Sequence, residues 1–111
     1  MSIYTNLPEG LNSAFEHSSK ELFLEPGQQI NDFNEFPPGL IFIKSGEVRL
    51  IYKDGDDEQF TISLFKPGQL IGAEQILRGA KQTSYAASTQ VSASILLTKD
   101  FLELIEANNT V

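Results

Sequence analysis

The sequence contains no cysteine and only one histidine, His17. Without cysteine the chain has no disulfide, no thiolate nucleophile and no zinc–thiolate site. A metal-dependent cupin enzyme needs two or three histidines and a carboxylate that converge on the metal, so a single histidine argues against that class. The single histidine, in a helical segment away from the strands, offers no serine or threonine a plausible base for nucleophilic catalysis. We therefore expect no catalytic residue, cofactor or metal site, and we interpret His17 as a polar residue near a helix end.

Positive charge is also scarce. Eight Lys and Arg residues are outnumbered by fifteen Asp and Glu residues, which gives a net charge of -7. Proteins bind nucleic acids largely through Lys and Arg contacts with phosphates, so the charge predicts that nucleic acid is not a partner. The acidic residues Asp54, Asp56, Asp57 and Glu58 lack the spacing of an EF-hand and are predicted to form a solvated hairpin turn.

Long apolar runs are absent as well. No stretch approaches the run of about 18 apolar residues that indicates a membrane span, and the N-terminus lacks the charged start and apolar core of a signal peptide. We therefore expect a cytoplasmic chain without direct membrane insertion, either on its own or as the cytoplasmic domain of a membrane protein. A length of 111 residues suffices for one hydrophobic core, so residues 1–111 are predicted to form a single domain.

Strand patterns dominate the middle of the chain. Residues 40–43 are a continuous apolar run that is short enough for a buried strand. Residues 48–53 and 59–64 each show an alternation with period two, which predicts two half-buried strands. In the second of these, Phe60, Ile62 and Leu64 are the apolar residues. Further strands are predicted at residues 20–24, 84–89 and 92–97.

Helical patterns flank this β region. Leu7, Leu11 and Phe15 recur at helical spacing and predict an N-terminal helix that ends near His17. Thr98 is suited to cap a second helix near the C-terminus. The expected divisions are a helical segment at residues 1–19, a β-roll at 20–97 and a C-terminal helix at 98–107.

Two stretches of the chain resemble each other. Residues 24–30 and 65–71 share the pattern apolar-x-Pro-Gly-Gln-x-Ile, which places a Pro-Gly turn between two pieces of strand sequence. Two similar corners suggest a roll whose halves repeat one geometry. This agrees with a mainly β fold of the double-stranded β-helix, or jelly-roll, type.

The stretch at residues 67–83 combines a turn, a conformationally free glycine and a short helix. Pro67 and Gly68 form the turn, Gly72 permits a tight bend, and residues 73–77 favour a helix. The unpaired amides at the start of a helix attract anions, so this helix start is a candidate anion site. Lys81 adds a positive charge nearby.

This stretch, together with the hairpin sequence at residues 43–48, resembles the cyclic nucleotide-binding domain family, whose fold is shared by catabolite activator proteins and protein kinase regulatory subunits. The family's phosphate-binding cassette reads roughly Pro-Gly-x-x-Phe-Gly-Glu, then two or three apolar residues, then Arg and small residues. The resemblance implies a jelly roll with short helices at the N-terminus, in the cassette and at the C-terminus. In the family the Arg holds the cyclic phosphate, the Glu accepts from the ribose 2'-hydroxyl, and helix amides complete the phosphate cage.

Carried onto this sequence, the resemblance implies a phosphate site formed by Gly72, Ala73, Glu74, Lys81, Gln82 and Thr83. The family's Arg falls on Lys81, which keeps the charge without the planar guanidinium. The family's Glu falls on Ala73, whose side chain accepts no hydrogen bond. Glu74 is therefore the candidate ribose contact, and Arg78 is the alternative phosphate contact. On the neighbouring strand, Arg49 and Tyr52 are candidates for compensating contacts.

These two changes are expected to weaken or abolish cyclic nucleotide binding. Losing one hydrogen bond to a charged group costs about 1.5 to 3 kcal/mol, so with a poorer phosphate clamp the affinity falls on the order of a hundred- to a thousandfold. The resemblance implies a regulatory or sensor domain for a cyclic nucleotide or another small anion, and not an enzyme. We expect it to be the N-terminal part of a longer bacterial protein, ahead of an effector such as an ABC secretion transporter. The alternative is a docking module that binds proteins and no small ligand.

Overall fold

A computed structural model describes residues 3–79 and 82–108, in which three helices accompany seven strands. The helices are α1 (Glu9–Ser18), α2 (Ala73–Arg78) and α3 (Thr98–Asn108). The strands are β1 (Lys20–Leu24), β2 (Gly39–Ser45), β3 (Val48–Lys53), β4 (Gln59–Phe65), β5 (Leu70–Ile71), β6 (Thr83–Ala87) and β7 (Val91–Leu97). None of the helices in these residues has the length and apolar character of a membrane span.

The strands form two antiparallel sheets. The larger sheet has the order β1-β7-β2-β5 and the smaller one has the order β4-β3-β6. Consecutive strands β2 and β3 lie in different sheets, as do β4 and β5, so the chain winds between the two sheets as in a jelly roll. The predicted fold class, mainly β with short helices at both ends and in the cassette, is confirmed.

The strand β2 is buried on both faces, which explains its continuous apolar run. Its residues Ile41 and Ile43 face the core between the two sheets, which we call the roll core. Its residues Leu40 and Phe42 belong to a second cluster on the other face of the larger sheet, here called the helix-side cluster. That cluster also contains Phe15 of α1, Leu96 of β7 and Phe101 of α3.

The two corners that share a sequence pattern also share a conformation. At residues 24–30 and 65–71 the glycine follows proline with a positive φ, +84° at Gly27 and +91° at Gly68. The amide nitrogen of the following glutamine donates to the carbonyl three residues before it, at 3.0 Å in the first corner and 3.1 Å in the second. This is the geometry of a type II turn, which favours proline and then glycine at its centre.

The glutamine of each corner adds the same side-chain contact. Gln28 Oε1 accepts from the amide of Glu25 at 3.1 Å, and Gln69 Oε1 accepts from the amide of Lys66 at 2.7 Å. The glycine amides donate to neighbouring strands at 2.8 Å in both corners. The sequence repeat is therefore a repeat of one hydrogen-bonded corner.

The predicted burial of the strand β4 is wrong. Phe60, Ile62 and Leu64 are 47%, 54% and 52% exposed. The strand lies at the edge of the smaller sheet, and Ile62 is an extra residue between the pairs Leu50↔Ser63 and Ile51↔Thr61. A bulge of this kind shifts the alternation, so the apolar residues of β4 do not form one inward face.

Candidate functional site

Gly72 sets the position of α2 against the larger sheet. It has a φ of +102°, and a Cβ atom at this position would lie 2.8 Å from the carbonyl oxygen of Gly39 in β2. A side chain is therefore excluded by both the backbone conformation and the close approach. The glycine lets β5 pass directly into α2, whose amide at Ile76 donates to the Gly72 carbonyl at 3.1 Å.

A cavity of about 440 Å³ lies between α2 and the inner face of the smaller sheet. This roll cavity is lined by Leu50, Ser63, Phe65, Leu70, Ile71, Gly72, Ala73, Glu74, Gln75 and Tyr85. Its size falls within the range of about 300–1,000 Å³ that is usual for small-molecule sites. Glu74 is the only charged residue that lines it among the described residues, and no Lys or Arg does so there.

Tyr85 of β6 connects α2 to the roll. Its hydroxyl donates to Gln75 Oε1 at 2.7 Å and also forms a hydrogen bond with the backbone of Gly72. Its ring packs against Phe65, with ring centroids 5.9 Å apart. Burial raises the pKa of Tyr85, the hydrogen bond with the Gly72 backbone opposes this, and the charge of Glu74 adds to it. The hydroxyl is therefore a protonated donor at neutral pH.

A smaller side cavity of about 270 Å³ adjoins the same helix. It is lined by Glu74, Gln75, Arg78, Gly79 and Thr83. Glu74 and Gln75 line both cavities, so the roll cavity and the side cavity meet at these two residues. Arg78 brings a positive charge to the side cavity.

The structure brings some of the predicted site residues together. Gly72, Ala73 and Glu74 line the roll cavity, and Glu74 lines the side cavity with Arg78 and Thr83. The hydroxyl oxygen of Thr83 is buried and has no hydrogen-bond partner in the described part of the chain. The predicted phosphate contact Lys81 lies outside the described residues.

Gln82 is held away from these cavities. Its backbone has a φ of +57°, its amide donates to Asn34 Oδ1 at 2.9 Å, and its side chain accepts from the Tyr52 hydroxyl at 3.3 Å. It lines a separate polar pocket with Lys53. Neither Tyr52 nor Arg49 lines the roll cavity or the side cavity.

Sequence reasoning did not single out Gln75 and Tyr85 as site residues. Each carries a signal in retrospect: Gln75 is a polar residue at a buried helix position, and Tyr85 is an aromatic residue in a strand of small residues. Such a pair indicates a buried hydrogen bond because large polar side chains rarely lie in a core without a partner. What the sequence does not show is that α2 and β6 bring the two together.

His17 lies exposed in the last turn of α1, with Nδ1 2.8 Å from the carbonyl oxygen of Ser13. Within residues 3–79 and 82–108, no group of three or more His, Cys, Asp or Glu side chains is placed to hold a metal ion.

Residues 21–108 match the sequence profile of the cyclic nucleotide-binding domain. The chain belongs to the cyclic nucleotide-binding domain family. Members of this family are typically regulatory domains and not catalytic ones. In this cyclic nucleotide-binding domain, the cassette helix α2 supplies Glu74 and Gln75 to the lining of both the roll cavity and the side cavity. A comparison with curated proteins found no match.

Solved structures share the fold. The Catabolite Activator Protein of Thermus thermophilus is 24% identical with a TM-score of 0.75, and the match covers 97% of this chain and 51% of that one. The N-terminal domain of a transcriptional regulator from Streptomyces coelicolor A3(2) is 18% identical with a TM-score of 0.74, covering 96% and 77%. The regulatory subunit of a cAMP-independent protein kinase A from Trypanosoma cruzi, bound to guanosine, is 22% identical with a TM-score of 0.75, covering 94% and 37%. This cyclic nucleotide-binding domain thus spans about half the length of the Thermus protein.

Proposed function

We propose that this cyclic nucleotide-binding domain binds a nucleotide ligand across the two cavities and regulates an effector. The base and ribose occupy the roll cavity, and the phosphate lies at the side cavity near Arg78. The observation that carries this proposal is that both cavities open on α2 and meet at Glu74 and Gln75, so one ligand can reach both. The aromatic pair Phe65 and Tyr85 offers the kind of surface on which bases pack.

The affinity for cyclic nucleotides is low in this proposal. Ala73 offers no acceptor to a ribose hydroxyl, and the described lining of the roll cavity has no cation. Glu74 and the net charge of -7 both oppose an anionic ligand. Arg78 lies on an exposed helix position, where solvent screens its charge.

A neutral nucleoside is the second candidate ligand. The roll cavity is lined by one charged residue among those described, and its other polar groups are the neutral side chains of Ser63, Gln75 and Tyr85. The Trypanosoma cruzi subunit with this fold is bound to guanosine. A nucleoside would occupy the roll cavity without any contact at Arg78.

The packing of α2 suggests how binding reaches the rest of the domain. Ala73 and Ile76 pack into the helix-side cluster, which also contains Phe15 of α1 and Phe101 of α3. The same helix therefore contacts both the ligand cavities and the cluster that contains residues of the terminal helices. A shift of α2 on binding changes the packing of α1 and α3, and this is the proposed regulatory signal.

Calorimetric titration of the chain with cAMP, cGMP, cyclic di-GMP, adenosine and guanosine tests the proposal. We expect binding of at least one cyclic nucleotide that Arg78→Gln weakens, and we run Lys81→Ala beside it to test the predicted cassette contact. Ala73→Glu restores the family's acceptor and should strengthen cyclic nucleotide binding by roughly tenfold or more. Absence of heat with every ligand at millimolar concentration would overturn the proposal and favour the docking module.

The effector is a further proposal. Because the chain spans about half of the Thermus protein, we propose that the whole protein joins this domain to an effector. An ABC secretion transporter is the candidate effector. If so, the ATPase activity of the full-length protein will change when the ligand identified by calorimetry is added. An activity that is the same with and without ligand would exclude this effector.

A further inference from the structure

Gln75 is a buried polar side chain of which only the amide oxygen forms a hydrogen bond in the described part of the chain. It is 6% exposed, and its Oε1 accepts the hydrogen bond from Tyr85 at 2.7 Å. Its amide nitrogen, Nε2, has no hydrogen-bond partner in the described part of the chain. Among the described residues, Thr83 Oγ1 is the only solvent-inaccessible side-chain nitrogen or oxygen that has no hydrogen-bond partner. Since Nε2 has no partner and is not among the inaccessible atoms, it is accessible from the cavities that Gln75 lines.

Tyr85 fixes the direction of this free donor. The Tyr85 hydroxyl is itself held by the backbone of Gly72, at the turn where α2 begins. Because Tyr85 holds the amide oxygen, the nitrogen of Gln75 points away from Tyr85. Because Nε2 opens on the cavities, it is placed to donate to a ligand that supplies an acceptor there.

Arg78 indicates which kind of acceptor fits. It follows Gln75 by three residues on the same helix, so the two side chains lie on one face, and both line the side cavity. Gln75 Nε2 and the guanidinium of Arg78 are both donors. Two donors that line one cavity favour an oxygen-rich, negatively charged group, which the Glu74 carboxylate in the same lining opposes.

We infer that Gln75 is a specificity-determining residue that donates to a phosphate oxygen of the ligand beside Arg78, with Tyr85 as its positioning residue. This inference rests on the proposed function and assigns the phosphate end of the site. It predicts that Gln75 distinguishes a phosphate-bearing ligand from the same nucleoside without phosphate. The ligand's base and ribose make no use of the free amide.

The experiment compares the affinities of the chain for cAMP and adenosine by calorimetry. Gln75→Met keeps the length of the side chain and removes the amide. We expect it to lower the affinity for cAMP by about tenfold or more and to leave that for adenosine within about twofold. Gln75→Glu should lower the cAMP affinity further because its carboxylate repels phosphate. The exposed Gln59 lines neither cavity, so Gln59→Met is the matched control and should change neither affinity.

Tyr85→Phe tests the positioning role. It keeps the ring that packs against Phe65 and releases the Gln75 amide, so we expect a cAMP-specific loss that is smaller than that of Gln75→Met. Equal losses for cAMP and adenosine in Gln75→Met would make Gln75 a structural residue and overturn this inference alone. Absence of binding of every ligand in the calorimetric series to the unaltered chain would overturn the proposed function and this inference with it.

Discussion

The Tyr85 hydroxyl joins α2 to β6 by hydrogen bonds with Gln75 and the Gly72 backbone. Tyr85→Phe leaves the buried Gln75 oxygen without its donor, so we expect the free energy of unfolding to fall by about 1 to 3 kcal/mol. Urea unfolding measures this. The matched control is Tyr52→Phe, whose hydroxyl forms an exposed 3.3 Å bond with Gln82 and should contribute about 0.5 kcal/mol or less. Equal losses in the two variants would contradict the role of Tyr85.

The raised pKa of Tyr85 also predicts a dependence of stability on pH. Burial favours the neutral phenol in the folded state, so the contribution of this group is complete below the ordinary pKa of 10.0. It is lost as the pH rises from there through the raised pKa. We expect the stability difference between the unaltered chain and Tyr85→Phe to be constant from pH 7 to pH 9 and to shrink above pH 10.0. A difference that stays constant in urea unfolding at higher pH would show that the phenol ionises equally in both states.

The residues of the site differ in how far the sequence could identify them. Glu74 and Arg78 were identified from a local stretch, because their placement on one short helix depends on residues that are neighbours in the chain. Gln75 and Tyr85 were missed because they are ten residues apart and their hydrogen bond joins two different elements, α2 and β6. Long-range contacts of this kind depend on the register of the sheets, which no single segment encodes.

At the scale of the elements, the repeated corners give a test with an internal control. Gly27 and Gly68 have similar positive φ angles, and a Cβ atom at either would meet nothing within 4 Å. Gly27→Ala and Gly68→Ala should therefore each cost about 1 to 2 kcal/mol, from backbone strain alone, and by equal amounts. Gly46→Ala should cost more, since its Cβ would lie 2.2 Å from the Gln90 carbonyl oxygen. Urea unfolding of the three variants measures these losses in unfolding free energy. The repeat would be refuted if the losses in Gly27→Ala and Gly68→Ala differed from each other by more than either differs from the loss in Gly46→Ala.

The corners were predictable because adjacent residues specify a turn, whereas the burial of β4 was not because it depends on strand pairing. A type II turn is specified by adjacent residues, and the pattern Pro-Gly-Gln contains them all. The bulge at Ile62 arises from pairing with β3, and the strand's position at a sheet edge arises from the topology. The alternation of β4 is real in the sequence, but pairing decides which face each side chain occupies.

The whole molecule consists of two cores on the two faces of the larger sheet. The roll core lies between the sheets, and the helix-side cluster lies under α1 and α3. The apolar run of β2 predicted a buried strand and the helical spacing of Phe15 predicted a helix, but not that the helix packs on the outer face of the larger sheet. A strand that is buried on both faces is apolar throughout, which explains the run. The helix α2 contacts both the roll cavity and the helix-side cluster, as does Leu70 of β5.

This position of α2 predicts that ligand binding alters the packing of α1 and α3. We expect saturating ligand to slow amide hydrogen exchange in α3 as well as in α2, because Ile76 packs in one cluster with Phe15 and Phe101. Ile76→Ala removes that contact and should abolish the slowing in α3 while changing the ligand affinity by less than about threefold. The adjacent Leu77 is 57% exposed, so Leu77→Ala is the matched control and should preserve the slowing. Protection in α3 that ligand leaves unchanged, or that persists in Ile76→Ala, would show that the signal leaves the domain by another element.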